Sequence, residues 1–240
     1  MREYTVFYND DPTSIFVHED DADWVSKLIS WNRKFYEYEL LHFIDEQYRE
    51  QRNIVDIGAN IGNHSLFFSK YLKCDHVYSF EPLADNVALF KKNLEQYKDK
   101  CTLFDVALGS QEDTKPLYMI YDKNFGGTSI LQQENAFEVA KTKVITLDSL
   151  HLEDISFMKI DVELLEVDVL KGAKDTVNRC QPMIMLENSF YHFGYKFPDP
   201  EPHKDIMEEL GYKKIHSNMC NSAMDFWVPN HHRQEQPTEA

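Results

Sequence analysis

Short apolar runs separated by helix-compatible stretches dominate the chain from Asn53 onward: NIVDIG, HVYSFEP, CTLFDVAL, KVITL, SFMKIDV and PMIMLEN. Runs of this length, lacking a polar alternation, suit strands buried on both faces, and their alternation with helical stretches predicts βαβ units in a mainly parallel sheet. Spacing alone does not order the strands. Ahead of them, EYTVFYNDDPTSIFVH carries two β-prone runs around a turn, and DADWVSKLISWNRKFYEYELLHFIDEQYRE mixes aromatic and acidic residues at helical spacing. A small hairpin and two helices are expected there, with the aromatic stripe of Trp24, Trp31, Phe35 and Tyr38 serving as core. Near the end, HKDIMEELGYKKIHSNMCNSAMDFWVP predicts a helix stopped at Gly211, then two strands.

Between two strands, YMIYDKNFGGTSILQQENAFEVAKT is long for a simple connection, and a surface hairpin and a functional loop are both open readings. The segments divide the chain into an N-terminal hairpin and helical extension (1–50), a main α/β domain (51–230) and a polar tail expected to be disordered (231–240).

Composition narrows the function classes. A chain of 240 residues with 42% hydrophobic content can bury a substantial core. Its 41 acidic residues against 25 Lys and Arg leave a formal charge of −16 without a basic run, which disfavours a nucleic-acid partner. No 18-residue apolar stretch predicts a membrane span, and the start lacks the apolar core of a signal peptide. Four scattered cysteines without a C-x-x-C pair signal neither disulfides nor zinc, and a reduced, cytoplasmic setting is expected. His231 and His232 are weak evidence for metal, and no metal site is expected.

The candidate chemistry begins at NIVDIGANIGNHSLFF. Gly58 and Gly62 fall in the turn between a strand and a helix, where glycine permits unusual backbone angles and close ligand approach, and the helix start suits an anion. Asn60 occupies the position of the middle glycine in the dinucleotide fingerprint, so a pyrophosphate, and with it a nicotinamide oxidoreductase, fits poorly. Glu81 follows the loop by about 20 residues at a strand end, where an acid accepts ribose hydroxyls. Asp105 ends the next strand, within reach of an adenine amino group. Together these residues describe an adenosine site with a small anion at the helix start.

The motifs VDIGANIGNHSLFF, VYSFEP, DVALGS, TLD and KIDVELLEVDVLKGA, in this order over roughly residues 50–190, resemble the FkbM family of S-adenosylmethionine-dependent methyltransferases. The resemblance implies a Rossmann-like class I methyltransferase fold: a mainly parallel seven-stranded sheet, last strand antiparallel, helices on both faces. It further implies that Asp56, Gly58, Asn60 and Gly62 form the first motif for S-adenosylmethionine, that Glu81 binds ribose, and that Asp105 with Ala107 borders adenine. For Asp56, turn stabilisation is the alternative role.

An alcohol acceptor must lose a proton on methylation, and Asp161 and Glu163 in KIDVELLE are the candidate catalytic residues. Glu166 reads as a helix-start acid; Glu187, with His192 behind it, and His64 are further candidates. In the family, a glycine commonly follows the D-V-E of this segment. Here Leu164 and Leu165 replace it and its neighbour, which is expected to narrow the acceptor pocket, change its substrate or weaken the enzyme. The leading expectation is O-methylation of a small molecule, sugar or glycolipid precursor. The alternative is a non-catalytic S-adenosylmethionine-binding or scaffold protein. Self-association as a homo-oligomer stays open.

Overall fold

The computed structural model describes residues 1–19, 23–119, 121–132, 134–188, 203–217, 220 and 222–231. Strands β1 (Arg2–Tyr8) and β2 (Asp11–Val17) form the expected hairpin, in which Tyr4 faces Ile15. Its two-residue turn is Asn9–Asp10, both at positive φ, the geometry that suits the twist of paired strands. Alternation buries Val6, Tyr8, Ile15 and Val17 on one face. Helix α1 (Trp24–Asn32) is capped by the Asp23 side chain, which accepts from Ser26 N, and α2 (Tyr38–Tyr48) follows.

From Asn53 the chain lays down β3 (Asn53–Ile57), α3 (Asn63–Tyr71), β4 (His76–Phe80), α4 (Ala84–Asn93) and β5 (Cys101–Phe104). A separate group follows: β6 (Ala107–Leu108), β7 (Asp113–Met119), β8 (Thr128–Ser129) and β9 (Phe137–Ile145). The chain then returns through β10 (Ile155–Ile160), α5 (Glu166–Lys171), α6 (Lys174–Cys180) and β11 (Met183–Glu187), and ends with α7 (Lys204–Glu209), β12 (Tyr212–His216) and β13 (Met224–Pro229).

The main sheet has the order β12-β13-β11-β10-β3-β4-β5, with β13 antiparallel to both its neighbours and the other pairings parallel. Successive residues of β3 serve opposite faces. Ile54 joins a core with Phe67 and Leu41 on one side, and Val55 joins Leu170, Val177 and Leu186 on the other. Helices therefore cover both faces, as buried parallel strands require. The first core also contains Val6, Ile15, Ile29 and Leu40, so the N-terminal hairpin and helices share it with the sheet.

The aromatic stripe is core only in part, because Phe35 is buried and Tyr38 half-buried while Trp24 and Trp31 stand on the solvent side of α1; two strand readings are also corrected. KVITL is not part of the parallel sheet: it overlaps the end of β9, which pairs antiparallel with β7 in a four-stranded sheet of order β6-β9-β7-β8. Near its end β9 alternates, with Lys141 and Lys143 exposed and Thr142 and Val144 buried, the signature of a strand with one buried face. CTLFDVAL divides between β5 and β6, because the chain leaves the main sheet at the exposed Asp105. The long connection is a β7–β9 hairpin that carries an inner excursion toward the site. The polar tail from residue 232 and the loop holding His192 lie outside the described residues.

Candidate active site

The sheet order reverses between β3 and β10, and ligands of open α/β sheets bind at the strand carboxyl ends beside such a switch. A cavity of about 450 Å³ opens there. Its wall draws on the turn after β3, the ends of β4, β10 and β11, residues 106–108, and the excursion at 124–130.

The turn after β3 is pinned from two sides. Gly58 N and Ala59 N both donate to Phe80 O at the end of β4, at 3.1 and 2.9 Å, and Asp161 N donates to Ile57 O at 3.1 Å. At Gly58, φ is +79° and an added Cβ would stand 1.7 Å from the Asp161 carbonyl oxygen, so no side chain fits between the two strand ends. Gly62, at φ +85°, starts α3 with its Cα turned to Phe90 and Leu94. Asn60 takes a positive φ of 51° and caps the turn locally, its Oδ1 accepting from Ile61 N at 2.7 Å.

Gly58, Asn60, Glu81 and Ala107 line the cavity; Asp56, Gly62 and Asp105 do not. Asp56 is fully buried behind the turn, where Oδ2 accepts from Ser65 Oγ at 2.5 Å and Oδ1 lies 3.4 Å from Lys159 Nζ. Asp105 is exposed, and Val106, Ala107 and Leu108 make the wall beside it. Glu81 is 5% exposed; Oε2 accepts from Asn60 N at 2.8 Å, and Oε1 from Leu83 N at 2.9 Å and Asn86 Nδ2 at 3.3 Å. Burial pushes its carboxyl up to about 7, against the pull of those three donors.

The rest of the wall is charged. Lys159 is 1% exposed and donates to Gly58 O at 3.0 Å, with Asp161 Oδ2 3.3 Å away. Burial opposes its charge, but Asp161, Asp56 and Glu37 outweigh that and hold the ammonium protonated. Asp161 and Glu163 both line the cavity, as do Glu187, Tyr36 and His64. Burial first, then Asp161 and Glu166, push the Glu163 carboxyl up to about 8, so it carries its proton at neutral pH. Burial and the neighbouring Glu37, Asp161, Glu187 and Glu163 likewise push the Tyr36 phenol upward.

Glu163 and Leu164 sit at φ 55° and 76°, a left-handed pair that costs a non-glycine chain energy, and Ser129 Oγ donates to Glu163 O at 2.9 Å across from β8. Leu165, not Leu164, reaches the cavity wall, so the expected narrowing by Leu164 does not arise from that side chain. Glu166 faces inward, accepting from Val162 N at 3.1 Å with His203 3.7 Å away.

Among the wall residues missed from sequence are Lys159, Tyr36 and Phe125. A lysine in the apolar run SFMKIDV is anomalous for a strand buried on both faces and could have signalled Lys159. Tyr36 and Phe125 carried no comparable signal. Among the described residues no cluster of His, Cys, Asp and Glu has a metal-binding arrangement. No helix among them is long and apolar enough to cross a membrane.

A seven-stranded sheet of this order, with one reversed strand and a cavity at its switch point, defines a class I methyltransferase fold. A methyltransferase FkbM from Methylobacillus flagellatus superposes with a TM-score of 0.52 at 17% identity, covering 74% of this chain and 43% of that one. A methyltransferase from Geobacter sulfurreducens gives 0.50 at 10% identity, covering 89% and 91%. The particular family follows from sequence: residues 56–214 match the Methyltransferase FkbM domain, and the chain belongs to that family of S-adenosylmethionine-dependent methyltransferases. The antimetabolite synthetase AmbE of Pseudomonas aeruginosa is 26% identical over 231 residues, a match covering 77% of this chain and 11% of that protein. Methyltransferase 1 of Beauveria bassiana is 25% identical over 162 residues, covering 58% of this chain and 63% of that protein. The chain thus spans about a tenth and under two thirds of the lengths of these two relatives.

Proposed function

We propose that the chain binds S-adenosylmethionine in the cavity and transfers its methyl group to a hydroxyl of a small molecule, sugar or glycolipid precursor. The observation that carries this reading is Glu81: a strand-end acid on the cavity wall, bonded to the backbone of the glycine turn. Three donors fill three of its four lone-pair sites, leaving one on Oε2 for a ribose hydroxyl, and the residues present fit the cofactor. Gly58 and Asn60 would face the methionine end, and Ala107 with its apolar neighbours would flank adenine. Asp56 and Gly62 would hold the turn from behind. Asp105, outside the wall, is not assigned a contact. The bound cofactor supplies an activated methyl group on a sulfonium.

The chain's own part is to place an acceptor oxygen in line with that methyl, and positioning supplies much of such acceleration. Asp161 and Glu163 are the acids proposed to meet the acceptor: Asp161 keeps Lys159 fixed, and protonated Glu163 donates a hydrogen bond to the acceptor oxygen. A small acceptor suits the cavity, and the −16 charge argues against nucleic acid.

Backbone strain at Leu164, where the family commonly has glycine, favours a second reading, a cofactor-binding protein without turnover. Mass spectrometry of reactions with a panel of hydroxylated sugars and lipids separates the two. Methylated product and S-adenosylhomocysteine are expected with at least one acceptor, and should persist after chelation. Cofactor binding without product across the panel would favour the second reading.

A further inference from the structure

His64, second residue of α3, places its ring on the cavity wall while its side chain is 7% exposed. Its Nε2 lies 3.1 Å from Glu37 Oε2. Among the described residues neither of these buried atoms has a hydrogen-bond partner, so the ion-pair contact makes each the other's polar neighbour. The second carboxylate oxygen of Glu37 accepts a hydrogen bond from Ser222 Oγ, which fixes the carboxylate from the opposite end of the chain. Burial alone would raise the Glu37 carboxyl, but His64, Ser222 and Lys159 outweigh it and hold it below the usual range, hence ionised. The edge of Tyr36 at 6.4 Å and Phe68 at 6.0 Å confine the ring. With Nε2 beside the carboxylate and the ring on the cavity wall, Nδ1 is the nitrogen left to a molecule in the cavity.

We propose that His64 is a catalytic residue that takes the proton of the acceptor hydroxyl on Nδ1, with Glu37 as its positioning residue. This rests on the methyl-transfer reading above. The acceptor O–H bond breaks and its proton passes to Nδ1, while an oxygen electron pair forms the bond to the methyl carbon. The carbon–sulfur bond breaks and its pair stays on sulfur, leaving a neutral thioether. The imidazolium so formed faces the Glu37 carboxylate, and later returns the proton to water. An acid that orients one ring nitrogen so that the other meets substrate is the arrangement found in hydrolytic triads. The acids after β10 are less suited to the step: Asp161 is paired with Lys159, and Glu163 already holds a proton at neutral pH.

Tyr36 and Glu37 ahead of α2 adjoin the ring, and the other charged groups of the cavity wall are Glu81 from the end of β4, Lys159, Asp161 and Glu163 from the end of β10, and Glu187 from β11. Nitrogen-15 NMR of His64, with and without S-adenosylhomocysteine, tests the geometry without any acceptor. The neutral ring should carry its proton on Nε2 and leave Nδ1 bare; a proton on Nδ1 would overturn the proposal. In kinetics, His64→Asn should lower kcat by roughly 100-fold or more while S-adenosylhomocysteine affinity stays within about threefold, and should remove one ionisation from the pH profile. Added imidazole should partly restore His64→Ala. Glu37→Gln should lower kcat by about tenfold at unchanged KM. A His64→Asn variant that keeps the natural rate and pH profile would overturn the proposal. A natural protein that methylates nothing would instead sink the reading it rests on, while the NMR result still decides the proton's place.

Discussion

Burial lifts the Glu163 carboxyl to about 8, far above its range in an unfolded chain, and this has a consequence for stability. A raised carboxyl pKa contributes stability that is fully present below the unfolded value near 4.5 and lost as pH rises through about 8. Glutamine does not titrate. Glu163→Gln should therefore gain in thermal stability relative to the natural protein as pH increases from 5 to 8.5, and melting curves at several pH values check the sign. A constant difference, or one shrinking toward alkaline pH, would contradict the burial of this group. At this scale the sequence showed acids at strand ends, because a strand end in a parallel sheet has a predictable place. Glu81 was legible for that reason. Glu37 and Ser222 were not, since no local pattern brings residues 185 positions apart together.

The turn after β3 shows how an element can be read from its glycines while its partner cannot. Gly58 was singled out as a turn residue, but the surface against it, the Asp161 carbonyl, comes from the neighbouring strand end, about 100 positions later. Because that contact is main chain on main chain, it cannot rearrange cheaply. Gly58→Ala should cost more than about 4 kcal/mol or prevent folding, as denaturant titration would show. The turn after β10 makes the opposite case. Leu164→Gly should change stability by no more than about 1 kcal/mol, since relief of the left-handed strain is offset by lost side-chain contact and a freer unfolded chain. It should also leave acceptor preference unchanged, whereas Leu165→Ala should broaden it, in competition assays with acceptors of graded size. Strand identity was legible where apolar runs were continuous. Sheet membership failed at KVITL, a strand whose four-stranded sheet depends on pairing with β7 that the run itself does not encode.

Over the whole molecule, the N-terminal 50 residues and the sheet bury one apolar cluster: Val6, Ile15 and Leu41 pack with Phe67, Leu66 and Phe157. Sequence reading set that segment apart as an extension because its pattern differs, but pattern does not reveal which core a helix joins. Deletion of residues 1–50 would uncover that apolar face and remove Tyr36 and Glu37 from the cavity. The remaining chain should lose cooperative thermal unfolding, and retention of a sharp transition near the natural one would show that the sheet is sufficient by itself. What the fold organises is the switch point, where stretches from distant parts of the chain meet around one cavity. The central claim is that this cavity holds S-adenosylmethionine through Glu81, and titration calorimetry with S-adenosylhomocysteine tests it most directly. The natural protein should bind at one site and give no heat with NAD, and Glu81→Gln, with its fold checked by melting, should weaken binding by roughly 1 to 3 kcal/mol. No heat from the natural protein, or equal affinity in the variant, would contradict it.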